Sequence, residues 1–218
     1  VKDENVPRER LRLVYNAVDA SAFPPPPNGR RARPSPVDKA RVVIGCVAGM
    51  RPEKDFPTLL RAVKALSGKA EGVQLLLVGS GSEAASLEAL RQELGLEGIC
   101  HFVPQTANVV PWLHAIDIFV LPSVSEALSN SVMEAMCAEC ALVVSRIVGN
   151  PELGEHGKNG LIFEARQVDQ LEACLFRLVN DDNERRRFGA AGRQFIESRF
   201  SRERAAGDLA KVYDEFLK

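Results

Sequence analysis

The chain has 218 residues, 45% of them hydrophobic and 26% charged, with a formal net charge of −1. This balance is typical of a globular protein with a core of normal size, and it excludes a bulk electrostatic attraction to nucleic acid or to anionic membranes. No apolar run reaches the ~20 residues that a membrane-spanning helix requires, and no secretory hydrophobic segment is present near the start.

The first 40 residues lack the pattern of a packed core. Residues 1–22 read as the tail of something larger, within which residues 11–15 form a candidate short strand. Four consecutive prolines at 24–27 precede polar and basic residues, which predicts an extended linker or mobile loop. The arginines at 30 and 31 favour a solvated charged loop over an anion site.

From residue 41, apolar runs of strand length alternate with stretches of helical period. The predicted strands are 42–48, 73–79, 99–103, 117–122, 142–145 and 161–163. The predicted helices are 56–66, 83–94, 108–115, 130–139, 167–179, 183–198 and 202–217. Strand runs that are almost continuously apolar indicate a sheet covered on both faces.

This alternation predicts an α/β fold, a Rossmann-like doubly wound parallel sheet over residues 41–200. Ligands of such sheets bind where the carboxyl ends of strands meet helix starts. The chemistry is therefore expected in the loops that follow strands, at 49–55, 79–82, 103–106, 122–131 and 146–152.

Five scattered cysteines occur, most of them in apolar runs. Their odd number favours reduced, buried thiols in the cytoplasm over a disulfide framework. Cys137 and Cys140 form a C-x-x-C pair, but without a second pair they favour small residues in a packed helix over a zinc or redox site. No metal site is expected.

The strongest signal lies in residues 122–136, where two glutamates are separated by seven residues. Ser129 or Asn130 can cap a helix start, so that Glu126 lies in the loop and Glu134 about one turn into the helix. Free amides at that start suit a diphosphate, and carboxylates accept hydrogen bonds from sugar hydroxyls. Purely structural roles stay open for both glutamates: Glu134 could complete a capping box with Ser131, and Glu126 could be an ordinary surface residue.

The residues around the two glutamates closely resemble the Glu-seven-Glu motif of glycosyltransferase family 4, retaining enzymes of GT-B fold that use nucleotide-sugar donors. The resemblance extends over residues 12–217, leaving only the Pro-rich segment unaccounted for. Its pieces occur in order: NAVDASAF at 16–23, VAGMRPEKD at 47–55, VGSG at 78–81, the stretch 115–123, GNPEL at 149–153 and GL at 160–161.

The resemblance implies the C-terminal, donor-binding half of such an enzyme. Residues 1–40 would be the interdomain segment and linker, and 201–218 a helix that crosses to a missing N-terminal domain carrying the acceptor site. The fragment alone would be inactive. The protein would be cytoplasmic, with any association with the inner face of the membrane made through the missing half.

The resemblance also implies roles for individual residues. Glu134 would bind the donor ribose, while Glu126 and Lys54, the expected catalytic residues, would stabilise charge at the donor. The resemblance further implies a nucleotide-diphosphate sugar as substrate and no cofactor. The expected donor-binding residues are Gly49, Arg51, Lys54, Gly79, Gly81, Val103, Pro104, Glu126, Ala127, Leu128, Ser129, Asn130, Ser131 and Glu134.

Three departures from the family pattern are evident. Gly49 occupies the place of a usual arginine, with Arg51 displaced by two residues; this favours, as an alternative, a non-catalytic module of the same fold. Ala127 stands where glycine is common, and residues 139–141 replace a usual Gly-x-Pro.

A second alternative is an NAD(P)-binding domain, because residues 79–84 fit the pattern G-x-G-x-x-A. Three features argue against it. The pattern falls in the second βα unit, Glu83 would place a carboxylate beside a pyrophosphate, and Gln105 rather than an acid follows the next strand. We favour a tight turn that lines a donor cleft.

Overall fold

A computed structural model describes residues 7, 10–29 and 33–217 of the chain. Six strands form one sheet in the order β3-β2-β1-β4-β5-β6, and every pair is parallel. The strands are β1 Val42–Val47, β2 Val73–Val78, β3 Cys100–Val103, β4 Ile118–Leu121, β5 Ala141–Arg146 and β6 Gly160–Glu164. The predicted Rossmann-like α/β fold is confirmed.

Helices cover the sheet, and all seven predicted helices are present to within two residues at each end. The described residues contain eight α-helices: α1 Phe56–Ser67, α2 Ala84–Glu93, α3 Val110–Ala115, α4 Asn130–Cys137, α5 Asn150–Leu153, α6 Val168–Asn180, α7 Asp182–Arg199 and α8 Arg202–Phe216. The eighth helix, the single turn α5, was not predicted from the sequence. None of the described helices is long and apolar enough to cross a membrane.

The central strand β1 is buried at all six positions, as its continuous apolar run predicts. It lies between β2 and β4, so the strand order reverses on either side of it. Doubly wound sheets bind ligands in the crevice at this switch point, beyond the carboxyl ends of the strands. The loops after β1 and β4 meet there, where the Val124 amide donates to the Glu53 carbonyl at 2.8 Å.

The predicted strand at 11–15 is wrong. Residues 11–15 have no regular structure, and Leu13 is 74% exposed. A strand needs a neighbour for its backbone groups, and the first such pairing comes later, at a single bridge between Val18 and Ser201. The segment instead lies along the C-terminal helices, with Arg12 paired to Glu215 at 2.6 Å.

The expectation that the Pro-rich segment contributes nothing to the core is also wrong for residues 33–40. Val37 is completely buried. Arg33 forms an ion pair with Asp117 at 2.9 Å, and a guanidinium N–H donates to the Ala115 carbonyl at 3.3 Å. A single apolar residue among prolines carries no periodic signal, so sequence reasoning missed it. The arginines at 30 and 31 lie outside the described residues.

The five cysteines, all in the described part of the chain, form no disulfide with one another. Cys46, Cys100, Cys137 and Cys140 are buried, while Cys174 is half-buried. The Cys140 thiol donates to two backbone carbonyls, each at 3.4 Å. Both members of the C-x-x-C pair are packed in the core, as predicted, but only Cys137 lies in the helix, since Cys140 follows the end of α4.

Candidate functional site

The loop after β1 brings Lys54 to the crevice. A short 3-10 turn, Pro52–Lys54, follows the strand, and Asp55 adopts a left-handed conformation with φ 49° before α1 begins. Lys54 turns inward and forms an ion pair with Oε1 of Glu126 from the loop after β4. The two side chains are only 10% and 13% exposed. Two residues 72 positions apart, both expected in the donor site, thus meet.

Glu126 is held by a second contact. The hydroxyl of Ser123, which is completely buried, donates to the same Oε1 at 2.8 Å. Glu126 is therefore not an ordinary surface residue, and that alternative is wrong. Sequence reasoning missed Ser123, although a hydroxyl directly after an apolar strand was the available signal.

Helix α4 begins beside this pair. Ser129 is its N-cap and accepts from the Val132 amide, which decides between the two predicted caps. Ser131 lies inside the helix, so the proposed capping box does not form, and Glu134 does not serve as a capping residue. The amides of 127–131 donate to no backbone carbonyl in the described part of the chain. They remain available to a ligand.

Glu134 lies one turn into α4 and is half-buried. Burial raises the pKa of its carboxyl group. Within the described ranges, no hydrogen bond or ion pair reaches this carboxylate. Because a carboxylate has several acceptor positions, an unpaired and partly buried one is a suitable partner for ligand hydroxyl groups.

The loop after β2 packs backbone against backbone with the loop after β1. A Cβ atom on Gly79 would lie 2.0 Å from the Ala48 carbonyl oxygen, and one on Gly81 would lie 2.2 Å from that of Met50. The Glu83 amide donates to the Met50 carbonyl at 3.0 Å. The glycines are thus required for contact with protein. An NAD(P) site would need that space for a pyrophosphate, so this packing counts against the alternative.

Two small hollows open at the ends of the first three strands, with volumes of about 230 and 240 Å³. The first is lined by Val47, Ala48, Gly49, Val78, Gly79, Ser80, Gln105, Thr106 and Val109. The second is lined by Met50, Gly79, Ser80, Ala84, Glu88, Phe102, Val103 and Pro104. Gly49, Gly79, Val103 and Pro104 therefore share one region, while Glu126 and Glu134 line neither hollow.

Gly49 leaves open space beside Arg51. A Cβ atom at Gly49 would lie 3.5 Å from Nε of Arg51, an ordinary contact, so the position does not require glycine. Arg51 is largely exposed and pairs with Glu53 at 3.0 Å. The chain therefore carries a guanidinium group next to the position where the family pattern has its arginine.

The histidines serve the fold. A ring nitrogen of His101 contacts the Gln74 side chain at 2.6 Å, one of His114 contacts the Pro24 carbonyl at 2.8 Å, and Nδ1 of His156 accepts from the Ile162 amide at 3.0 Å. Among the described residues, no three histidine, cysteine or carboxylate side chains are grouped in a way that could hold a metal ion.

Several curated proteins are similar to the chain. It is 33% identical over 193 residues to the lipopolysaccharide core biosynthesis glycosyltransferase LpsD of Rhizobium meliloti, with 88% of this chain and 54% of that protein aligned. It is 26% identical over 223 residues to a GDP-mannose-dependent alpha-(1-6)-phosphatidylinositol monomannoside mannosyltransferase of Mycobacterium tuberculosis, with 93% and 58% aligned. The chain thus spans little more than half the length of these relatives.

Solved structures share the fold. Anabaena Alr3699/HepE in complex with UDP-glucose superposes with a TM-score of 0.85 at 20% identity, covering 98% of this chain and 60% of that one. The C-terminal domain of LpcC, a glycosyl transferase group 1 family protein from Francisella tularensis, superposes with a TM-score of 0.73 at 19% identity. It covers 85% of this chain and 99% of that one.

A family model agrees with these similarities. The model for glycosyl transferases group 1 matches residues 30–195, which include all six strands and the loops that carry Lys54, Glu126 and Glu134. This match leaves no support for the NAD(P)-binding alternative. Because it covers most of the sequence, the chain belongs to the glycosyl transferases group 1 family.

Proposed function

We propose that this chain is the C-terminal, nucleotide-sugar-binding domain of a retaining glycosyltransferase of family 4. One observation carries the proposal. At the start of α4, the nearly buried Lys54–Glu126 pair adjoins amides 127–131 that have no backbone acceptor, while Glu134 has no hydrogen-bonding partner in the described structure. The cation and the amide donors suit the diphosphate of such a donor, Glu126 suits its sugar, and the free carboxylate of Glu134 suits its ribose.

Each group has a place in this chemistry. The amides of Ala127 to Ser131 and the Lys54 ammonium would stabilise the negative charge that builds up on the departing diphosphate. Glu126 would contact the transferred sugar, and Glu134 would accept hydrogen bonds from the ribose hydroxyls. Arg51, beside Gly49, would add a second cation toward the phosphates.

The remaining donor contacts would come from the hollows at the strand ends, which Gly49, Gly79, Gly81, Val103 and Pro104 line or adjoin. We expect backbone contacts near residues 103–106 to select the base. No cofactor is required in this proposal.

The rest of the enzyme would lie outside this sequence. We propose that residues 1–40 connect to an N-terminal domain that binds the acceptor, and that residues 201–218 contact that domain. The 218-residue chain would then bind donor without transferring sugar. The enzyme would work in the cytoplasm, at the inner face of the membrane where its acceptor is a lipid, and would serve polysaccharide, lipopolysaccharide or glycolipid synthesis.

Calorimetric titration tests the proposal. UDP, GDP and ADP and their sugar derivatives are titrated into the chain and into Glu134→Ala. We expect one nucleotide series to bind, and we expect the variant to bind it at least about tenfold more weakly, because a hydrogen bond to a charged group is lost. Glu93→Ala, an exposed residue at the end of α2, is the matched control and should bind as the parent chain does.

Absence of binding by every nucleotide at millimolar concentration would refute the donor site. Equal binding by Glu134→Ala and the parent would remove Glu134 from the ribose role alone.

A second candidate function is a non-catalytic binding module of the same fold, which Gly49 favours because the usual arginine is absent there. Assay of the full-length protein for sugar transfer and for donor hydrolysis separates the two. Turnover supports the enzyme, whereas donor binding without turnover supports the module.

A further inference from the structure

A series of hydrogen bonds between buried polar groups links the start of α5 to the Lys54–Glu126 pair. The side-chain amide of Asn150 donates to the Ser145 carbonyl at 3.0 Å and to the Ser145 hydroxyl at 3.3 Å. The Ser145 hydroxyl donates to the Ser123 carbonyl at 2.5 Å. The Ser123 hydroxyl donates to Oε1 of Glu126 at 2.8 Å. These hydrogen bonds lead from α5 to the carboxylate that pairs with Lys54.

Burying these polar groups costs free energy of folding. Ser123, Ser145 and Asn150 are each 0% exposed. Hydroxyl and amide groups lose hydration on burial, and Oδ1 of Asn150 regains no partner within the described ranges. Apolar residues would join the ends of β4 and β5 without this loss. Retention of polar groups here therefore indicates that they act on something beyond strand packing.

These hydrogen bonds end at one carboxylate, that of Glu126. Ser123 is fixed at two points, because its carbonyl accepts from Ser145 while its hydroxyl reaches Glu126. Oε1 of Glu126 receives both that hydroxyl and the Lys54 ammonium. No hydrogen bond to Oε2 is present in the described part of the chain, so this second oxygen keeps its acceptor capacity.

We propose that Ser123 is a positioning residue, held in place by Ser145 and Asn150, that keeps Oε1 of Glu126 on Lys54 and reserves Oε2 for a hydroxyl group of the donor sugar. The second half of this statement rests on the proposed function. The first half concerns the protein without ligand and can be tested without it.

The binding experiment uses UDP-glucose and GDP-mannose as probes, titrated into the whole chain. For the probe that binds, Ser123→Ala is expected to raise the Kd about tenfold, because Oε2 of Glu126 is no longer held toward the sugar and its charge-assisted hydrogen bond to a sugar hydroxyl is lost. Ser123→Cys, which keeps a weak donor, should recover part of the affinity, and Ser145→Ala should show a smaller loss in the same direction. Leu175→Val, a core change in α6, is the control for lost stability and should leave the Kd unchanged.

The second experiment observes the carboxyl carbon of Glu126 by NMR in glutamate-labelled protein without ligand, with the signal assigned through Glu126→Gln. Ser123→Ala and Ser145→Ala are expected to shift or broaden this signal, and to leave that of Glu134 in place. A merely structural role for the serines would lower stability without selecting the Glu126 signal.

The outcomes separate the two proposals. If no nucleotide or nucleotide sugar of the UDP, GDP and ADP series binds but the Glu126 signal responds to Ser123→Ala, the proposed function and the reservation of Oε2 fail, and the positioning of Glu126 is supported. If a probe binds and Ser123→Ala changes neither the Kd nor the Glu126 signal, the donor site is supported and the positioning role is overturned. A folded Ser145→Ala variant that leaves the Glu126 signal unchanged would remove Ser145 and Asn150 from it.

Discussion

The Lys54–Glu126 pair puts two opposite charges where water hardly reaches them, so each depends on the other. Lys54→Met leaves the Glu126 carboxylate with the Ser123 hydroxyl but without a cation. We expect this change to lower the unfolding free energy by about 3 kcal/mol, measured by urea denaturation at neutral pH, because removal of one partner leaves the other buried charge unpaired.

The double variant Lys54→Met/Glu126→Gln provides the control for that prediction. It removes both charges and should recover most of the stability lost by Lys54→Met. Simple additivity of the two single changes would contradict the ion pair.

Glu134 gives a pH-dependent prediction at the same scale. Burial raises the pKa of its carboxyl group in the folded protein, so the folded state binds the proton more tightly than the unfolded chain. The unfolding free energy therefore falls as pH rises from the unfolded-state value, about 4.3, to the raised folded-state value, and it is constant above that. Glu134→Gln has no charge to bury, so we expect it to raise the unfolding free energy at about pH 7.5 and to leave it unchanged below about pH 4.

Urea denaturation of Glu134→Gln and its parent at both pH values checks this. A gain that is the same at low and neutral pH would show that the effect has another origin. If the gain appears as expected while nucleotide affinity falls, the unpaired carboxylate is kept for ligand binding at a cost in stability.

At the scale of elements, the residue before α5 packs in close backbone contact with the loop that carries Glu126. Gly149, with φ +92°, precedes α5, and a Cβ atom there would lie 1.6 Å from the Ala127 carbonyl oxygen. We expect Gly149→Ala to cost about 3 kcal/mol of unfolding free energy, because the backbone is strained and one of the two loops must move.

Gly207→Ala is the matched comparison. Gly207 lies in α8, and a Cβ atom there meets nothing within 4 Å. Alanine should therefore stabilise the helix by roughly 0.5–1 kcal/mol. Thermal denaturation of the two variants should move in opposite directions, and unchanged stability of Gly149→Ala would argue against the close contact with Ala127.

Elements with a strong period were predictable from the sequence, and those without one were not. The apolar run of β1 and the spacing of Leu59, Val63 and Leu66 in α1 fix both element types. The four residues of α5 are too few to show a helical period. The run at 11–15 had the composition of a strand, but pairing depends on a neighbouring strand that local sequence does not encode.

The candidate site was predictable in its parts but not in its connections. Glu126, Glu134 and Lys54 stood out through the resemblance, and Ser129 through its capping chemistry. That Lys54 meets Glu126 depends on the adjacency of β1 and β4, which only the folded sheet provides. Ser145 escaped notice because a serine within an apolar strand looks like any small residue.

For the whole molecule, the C-terminal helices divide into a structural and a dispensable part. α7 packs against α4 and β5 and buries Phe188 and Ile196, whereas α8 contains no buried residue. Removal of residues 202–218 should therefore lower the unfolding free energy by less than about 1 kcal/mol. Removal of everything after residue 180 should abolish cooperative unfolding, because core contacts are lost.

Urea denaturation followed by circular dichroism distinguishes the two truncations. A large loss of stability on removing residues 202–218 alone would mean that the contacts of α8 with the N-terminal segment, such as Arg202–Asp19 at 3.0 Å, carry more energy than exposed ion pairs usually do.

The distribution of the thiols has a practical consequence for all these measurements. Burial raises the pKa of Cys46 and of Cys100 to about 12, so both remain protonated and inert toward alkylating reagents at neutral pH. Cys174 is the most accessible of the five, and a maleimide fluorophore should attach there first, on α6. Labelling of the four buried cysteines requires transient local unfolding. The rate of that labelling therefore measures local unfolding of the core without any engineered residue.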